Sequence, residues 1–278
     1  MAEEKSLINK LIFPGKYSIF VVTGLILFIW LLETPTGIMG KADAVGYAVC
    51  HRIDVRSFHL GIRQLPLCAR CTGQYMGAIL GLGFQGLLAK KRSGFPPKRV
   101  IALLGFLFLA YAVDGLNSYL YLPPFLKVFP GMPHLYEPSN ALRLFTGTGM
   151  GLIIALVLYP AFVGSIYSNL NTKPALANIK SLLIVVGLAA LVDLLILTGS
   201  KYILYPAAIL SAGGVILLLT MAYTVVVLKV LHKGNQYTRL SQIFLPVTIG
   251  FTIVMTQIAM SDLFRFIITG TWSGLVFG

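Results

Sequence analysis

All three cysteines of the chain lie in one short stretch, at positions 50, 68 and 71. Cys68 and Cys71 form a Cys-x-x-Cys pair, and His51 follows Cys50 directly. Three cysteines and one histidine are a ligand complement of tetrahedral structural zinc sites. The sequence therefore predicts a zinc site formed by Cys50, His51, Cys68 and Cys71, with His59 as a substitute for His51.

The same thiols also allow redox chemistry. Cys68 and Cys71 are expected in the first turn of a helix that begins after Pro66, and both this position and the neighbouring Arg70 favour the thiolate. A thiolate attacks disulfides as well as binding metals. A membrane thiol–disulfide oxidoreductase is therefore an alternative, with a Cys68–Cys71 disulfide that exchanges with a quinone or a partner thiol. Inert packing of buried cysteines is the third interpretation.

A second group of polar residues surrounds Asp114. Tyr111, Asn117 and Ser118 share its predicted helix face, which lipid would not tolerate. Residues 137–140 predict a loop and an N-cap, after which the next helix presents Arg143. The helix dipole opposes an arginine in this first turn, so we expect an acidic partner for it, either Asp114 or Glu137.

These residues predict a basic polar pocket next to the cysteines. Its expected members are Arg56, Arg70, Asp114, Glu137, Asn140 and Arg143. The pocket is interpreted either as a buried ion pair that joins two helices or as a binding site for a small anion or an anionic lipid headgroup. The second interpretation makes a transporter or a lipid-handling protein with an anionic cargo a further alternative.

The composition determines what kind of protein must position these side chains. Of 278 residues, 57% are hydrophobic and 11% are charged, and the mean hydropathy is +0.84. Soluble domains carry about 25% charged residues, so the solvent of this chain is a bilayer. A cytosolic enzyme, a secreted disulfide scaffold and a disordered chain are excluded. The net charge of +13 then indicates cytoplasmic loops and anionic headgroups as partners rather than nucleic acid.

Apolar runs predict an all-α polytopic bundle of about seven transmembrane helices. The expected spans are 17–39, 68–89, 100–122, 141–163, 180–199, 204–231 and 242–264. They divide the chain into a cytoplasmic amino-terminal segment (1–16), a four-helix core (17–163) with the cysteine and histidine segment at 50–73, and three further helices with a tail (164–278). Small residues at Gly73, Gly77 and Gly81 predict a close helix contact.

Loop charges predict the orientation. With the amino terminus inside, most lysines and arginines fall in cytoplasmic segments, as expected for a multi-pass protein of a prokaryotic cytoplasmic membrane. The cysteine segment then lies outside. Several intramembrane polar residues also fall toward this outer side, which indicates a pocket that opens outward, although Glu33 and Arg265 are interpreted as headgroup neighbours.

The motifs resemble those of a prokaryotic membrane-protein family, the domain of unknown function numbered 2085. The resemblance rests on Cys50-His51, Arg56-Ser57-Phe58, residues 66–73 (PLCARCTG), Asp114-Gly115, residues 137–140 (EPSN), Arg143 and Thr146-Gly147, and it covers about 50–158. It implies a polytopic membrane protein with a cysteine segment of this kind, and it leaves open whether the protein is an enzyme. The sequence contains no P-loop, His-Glu-x-x-His or Gly-x-Ser-x-Gly motif.

Overall fold

The computed structural model describes residues 17–128, 131 and 134–274. The predicted amino-terminal segment 1–16 lies outside these residues. The helices are α1 (Ser18–Glu33), α2 (Gly37–Val49), α3 (Ala69–Ala89), α4 (Lys98–Leu120), α5 (Pro123–Val128), α6 (Asn140–Ile166), α7 (Ile179–Leu197), α8 (Lys201–Val230) and α9 (Phe244–Thr269). The strands are β1 (Ser57–Leu60), β2 (Arg63–Cys68), β3 (Arg92–Gly94) and β4 (Asn171–Pro174).

The helices confirm the all-α polytopic fold class. Within the described chain, five helical segments are long and apolar enough to cross a membrane, namely α4, α6, α7, α8 and Ser241–Thr269, which contains α9. They correspond to the last five predicted spans. The count rises to six if α1 and α2 form one span, so the predicted number of seven is not established.

The first predicted span, 17–39, is broken. Helix α1 ends at Glu33, and α2 leaves it at an angle of 106°. Pro35 lies in the break and has no backbone N–H to continue a helix. The carbonyl groups exposed at the end of α1 accept hydrogen bonds from Lys41, whose Nζ lies 2.5 Å from Leu31 O and 2.9 Å from Thr34 O.

The second predicted span corresponds to α3, a helix of 21 residues packed in parallel with α6 at the centre of the molecule. A helix of this length is about 30 Å long, but α3 is not among the helices that are apolar enough to count as membrane spans. The predicted small-residue face is confirmed. A Cβ on Gly77 would lie 2.3 Å from Thr148 O, and one on Gly147 would lie 2.1 Å from Arg70 O. Glycine therefore allows the two backbones to approach each other directly.

Buried carboxylates join other helices to this centre. Asp193 of α7 accepts a hydrogen bond from Thr148 of α6 at 2.8 Å. Asp262 of α9 accepts one from Trp30 of α1 at 2.9 Å. These two membrane-embedded acids therefore have partners on neighbouring helices, as expected of polar groups that lipid does not solvate.

Two ends of the bundle can be distinguished. At one, which we call the cysteine end, β1 and β2 form an antiparallel hairpin that pairs Ser57 with Cys68. At the other, the distal end, β3 and β4 pair in parallel and Lys91 Nζ donates to Thr238 O at 3.1 Å. As expected, the helix begins after Pro66, but Pro66 lies within β2 and the helix starts at Ala69, so Cys68 is its N-cap rather than a residue of its first turn.

Candidate functional site

The structure brings the three cysteines together at the cysteine end. Cys50 is buried at the C-cap of α2, Cys68 ends β2 as the N-cap of α3, and Cys71 lies in the first turn of α3. All three are free thiols, and their Sγ atoms lie within 4.8 Å of one another. Ligands at the zinc–sulfur distance of ~2.3 Å have sulfurs ~3.8 Å apart in a tetrahedron, so a small contraction suffices. The cluster could hold a metal ion.

A strained turn orients Cys50. Arg52 adopts a left-handed conformation with φ 52°, which is uncommon outside glycine. In this turn the backbone N–H groups of Arg52 and Cys68 both donate to Cys50 Sγ at 3.4 Å. Hydrogen bonds from the thiols of Cys68 and Cys71, followed by these amides, hold the pKa of Cys50 well below its ordinary value despite burial. The turn therefore favours a thiolate at this position.

Several side chains absent from the predicted site hold this turn. Asp43 of α2 forms ion pairs with Arg52 at 3.0 Å and with Arg63 at 2.5 Å. Gln64 Nε2 donates to Arg52 O at 2.8 Å. Because Asp43 and Gln64 are ordinary polar residues in the sequence, only their spatial proximity to the turn reveals them.

Arg265 also serves the turn, which corrects its interpretation as a headgroup neighbour. From α9, its Nη1 donates to Tyr47 O at 2.7 Å and to Cys50 O at 2.6 Å, and its Nη2 donates to His51 O at 3.2 Å. These are the carbonyl groups at the carboxyl end of α2. An arginine is well suited to satisfy them because the helix dipole makes this end negative.

The histidines do not join the cysteine cluster. Among the described cysteine, histidine and acidic side chains, the group that meets near the turn contains Cys50, Cys68 and Cys71 alone. His51 is exposed and lines the same cavity as the cysteines. His59 instead pairs with Asp54 at 2.8 Å, so the structure does not support it as a substitute ligand.

Asp114 is the centre of the polar cluster, with a partner that differs from the expected one. It is 1% exposed, and its Oδ2 pairs with Arg70 Nη2 from the cysteine motif. Thr146 Oγ1 donates to Oδ2 and Tyr136 OH donates to Oδ1, each at 3.1 Å. Arg70 also donates to Ser118 Oγ at 3.0 Å. The ion pair therefore joins α3 to α4 and leaves Arg143 without this carboxylate.

Of the remaining predicted pocket residues, Asn140, Arg143 and Arg56 form hydrogen bonds at the cysteine end, whereas Glu137 does not join them. Arg143 Nη1 donates to Asn140 Oδ1 at 2.9 Å, and Asn140 Nδ2 donates to the carbonyls of residues 55 and 57, at 3.3 and 3.4 Å. Arg56 Nη2 donates to Ser118 O at 2.5 Å. Glu137 is exposed and forms no ion pair with the described residues, so its place in the cluster stays a prediction. The predicted N-cap is confirmed at Ser139, which accepts from Leu142 N at 3.2 Å.

A cavity of about 360 Å³ lies between the cysteine cluster and the arginines of the polar cluster. Its wall contains Cys50, Cys68 and Cys71 together with His51, Arg52, Arg56, Arg70 and Arg143. No carboxylate contributes to this wall in the part of the chain that the structure describes. Burial, followed by the proximity of Arg70, lowers the pKa of Arg56. The cavity therefore combines soft sulfur donors with crowded positive charge.

Comparison with known proteins extends the resemblance seen in the sequence. Residues 50–157 match the model of a family described as "Predicted membrane protein (DUF2085)", which confirms the resemblance over that segment. An uncharacterized protein of Methanocaldococcus jannaschii is 27% identical over 126 residues, which are 45% of this chain and 71% of that protein. An uncharacterized protein of Methanothermobacter thermautotrophicus is 28% identical over 109 residues, 39% of this chain and 83% of that one. No solved structure matches.

Proposed function

We propose that this membrane protein binds zinc through Cys50, Cys68 and Cys71, and that the metal supports the basic cavity as part of a binding or scaffold role. The observation that carries the proposal is the approach of the three Sγ atoms to within 4.8 Å. The amides that donate to Cys50 Sγ support it further, because hydrogen bonds to a ligating sulfur orient it and stabilise its thiolate.

The fourth position of a tetrahedral site would face the cavity. His51 follows Cys50 and lines this cavity, so its imidazole is the protein ligand that we propose for the fourth position. A ligand in the cavity is the alternative occupant, since an open position is what distinguishes reactive zinc sites from closed structural ones.

The bound metal would fasten the hairpin segment to the helices. Cys50 ends α2, whereas Cys68 and Cys71 belong to the junction of β2 with α3, so one ion would join both ends of residues 50–71. Removal of the metal should then loosen the hairpin and the wall of the cavity while the helices persist.

We propose that the cysteine end faces the outside of a prokaryotic cytoplasmic membrane and that the amino terminus is cytoplasmic. Support comes from the distal end of the bundle, where the described residues include basic side chains but no carboxylate. Cytoplasmic loops are enriched in lysine and arginine. They are Lys90, Lys91, Arg92, Lys98, Arg99, Lys173, Lys180, Lys229, Lys233 and Arg239.

The test is the metal content of the purified full-length protein in detergent, measured by elemental mass spectrometry. We expect one zinc per chain, and we expect Cys50→Ser, Cys68→Ser and Cys71→Ser each to lose most of it. His59→Ala is the matched control and should retain the metal, since His59 pairs with Asp54 away from the cluster. His51→Ala measures the fourth ligand separately.

Wild-type protein without stoichiometric zinc, or zinc that persists in the three cysteine variants, would overturn the proposal. Alkylation under denaturing conditions, before and after reduction, then identifies the alternative. A mass increase that requires a reductant would indicate a disulfide and support a thiol–disulfide oxidoreductase linked to a quinone or a partner thiol.

A further inference from the structure

The cavity beside the cysteines carries positive charge that the protein does not balance. Of the four arginines in its wall, Arg52 and Arg70 are paired with carboxylates behind the wall. Arg56 and Arg143 have no carboxylate oxygen within 4 Å among residues 17–128, 131 and 134–274. Buried arginines are expected to be paired with an acidic group. Arg143 is buried and Arg56 is partly buried.

A bound metal would not remove this excess. Zinc with three thiolates carries a single negative charge, which compensates only one of the two unpaired guanidinium groups. The inference below therefore goes beyond the proposed metal site.

Arg143 has donors available for a ligand. It is 7% exposed, and within the described chain the hydrogen bonding of its side chain consists of the bond from Nη1 to Asn140 Oδ1. Its buried Nε has no partner. A guanidinium presents its donors as a planar fork that matches two oxygens of a phosphate group. The unpaired Arg143 and the neighbouring Arg56 therefore favour a phosphate oxyanion as the missing partner.

The cavity shares two wall residues with an apolar groove. Gln74 and Tyr75 of α3 belong both to the wall of the basic cavity and to the wall of a second cavity of about 470 Å³. The other residues of this groove come from α6 and α8 and are apolar, among them Ile153, Ile154, Val157, Leu158, Leu218 and Leu219. A ligand that fills both spaces has an anionic head and a hydrocarbon chain.

We propose that the protein binds an anionic phospholipid, with its phosphate headgroup between Arg56 and Arg143 and one acyl chain in the groove. The charge of the cavity selects the head, and the apolar lining of α6 and α8 selects the chain. Both walls meet at Gln74 and Tyr75, where the glycerol region of the lipid would lie.

The experiment titrates the full-length protein in maltoside micelles and measures binding by native mass spectrometry. Dioleoyl phosphatidic acid is the expected ligand, dioleoyl phosphatidylcholine tests the headgroup, and glycerol 1-phosphate tests the head without a chain. We expect Arg143→Gln and Arg56→Gln each to weaken phosphatidic acid binding about 10- to 100-fold, because each removes charged hydrogen bonds to the phosphate. Arg99→Gln makes the same charge change at an exposed position of the distal end and should have little effect.

Two further variants keep the test decisive. Arg143→Lys preserves charge without the fork and should bind with intermediate affinity even if Arg143→Gln fails to fold. Ala222→Phe fills the groove and should weaken binding of the lipid but not of glycerol 1-phosphate.

Three results would overturn the inference. Equal affinity for the two lipids would exclude recognition of the phosphate as an anion, and equal effects of Arg143→Gln and Arg99→Gln would exclude the cavity. Glycerol 1-phosphate that binds as tightly as the lipid, together with an inert Ala222→Phe, would assign the cavity to a soluble phosphate instead. Zinc is measured in the same samples, so loss of the metal proposal and loss of the lipid proposal are distinguishable.

Discussion

Asp114→Asn tests whether the buried ion pair between α3 and α4 stabilises the cysteine end. The carboxylate is 1% exposed and is the acidic partner of Arg70, and its oxygens also accept from Thr146 and Tyr136. The substitution keeps the shape of the side chain but leaves Arg70 as an uncompensated buried charge. Removal of one partner from a buried ion pair costs ~3–5 kcal/mol, and we expect a loss of this size.

The assay is equilibrium unfolding in mixed micelles followed by circular dichroism. Asp54→Asn is the control, because the Asp54 side chain is 75% exposed and its pair with His59 should contribute at most about 1 kcal/mol. The double variant Asp114→Asn/Arg70→Gln removes both charges and should be more stable than the sum of the single effects predicts. The reasoning is refuted if Asp114→Asn resembles the control, or if the two single effects add without coupling.

Two further predictions concern the helix contact and the cysteine turn. Gly77→Ala should destabilise the protein by about 1–3 kcal/mol, because its Cβ would lie 2.3 Å from a carbonyl of α6. Gly83→Ala in the same helix has nothing within 4 Å and should be neutral or stabilising; equal melting temperatures would contradict the packing. Arg265→Met should weaken cobalt binding to the cysteines about 10- to 100-fold in a spectroscopic titration, because contacts outside the ligand shell orient metal ligands. An unchanged affinity would show that α9 does not contribute to the site.

Much of the fold could be predicted because a bilayer imposes a simple rule on the sequence. Long apolar runs must become helices, and the last five predicted spans are helices long and apolar enough to cross a membrane. The exceptions have local causes. Pro35 lies where α1 ends, and α2 leaves at an angle of 106°. Helix α3 is less apolar because it contains glycines that contact the backbone of α6.

The site could be predicted in part for the same kind of reason. Cysteines at positions 50, 68 and 71 are rare enough for their spacing to indicate a shared site, and the three Sγ atoms do converge. Helix periodicity could not predict that Asp114 pairs with Arg70 rather than with Arg143. The position of Arg70 depends on where the hairpin before α3 places the start of that helix. Arg265 acts on a turn 215 residues earlier, and Asp43 pairs with arginines nine and 20 residues further along the chain. No helix or strand period in a single sequence indicates such pairs.

The contact from Arg265 to the cysteine turn bears on how the protein is made. Arg265 of α9 is synthesised 215 residues after Cys50. Until α9 has been inserted beside α1 and α2, the carbonyls of Tyr47, Cys50 and His51 lack their donor. A nascent chain that stops before α9 would therefore contain all three cysteines but lack the side chain that satisfies the carbonyl groups of their turn.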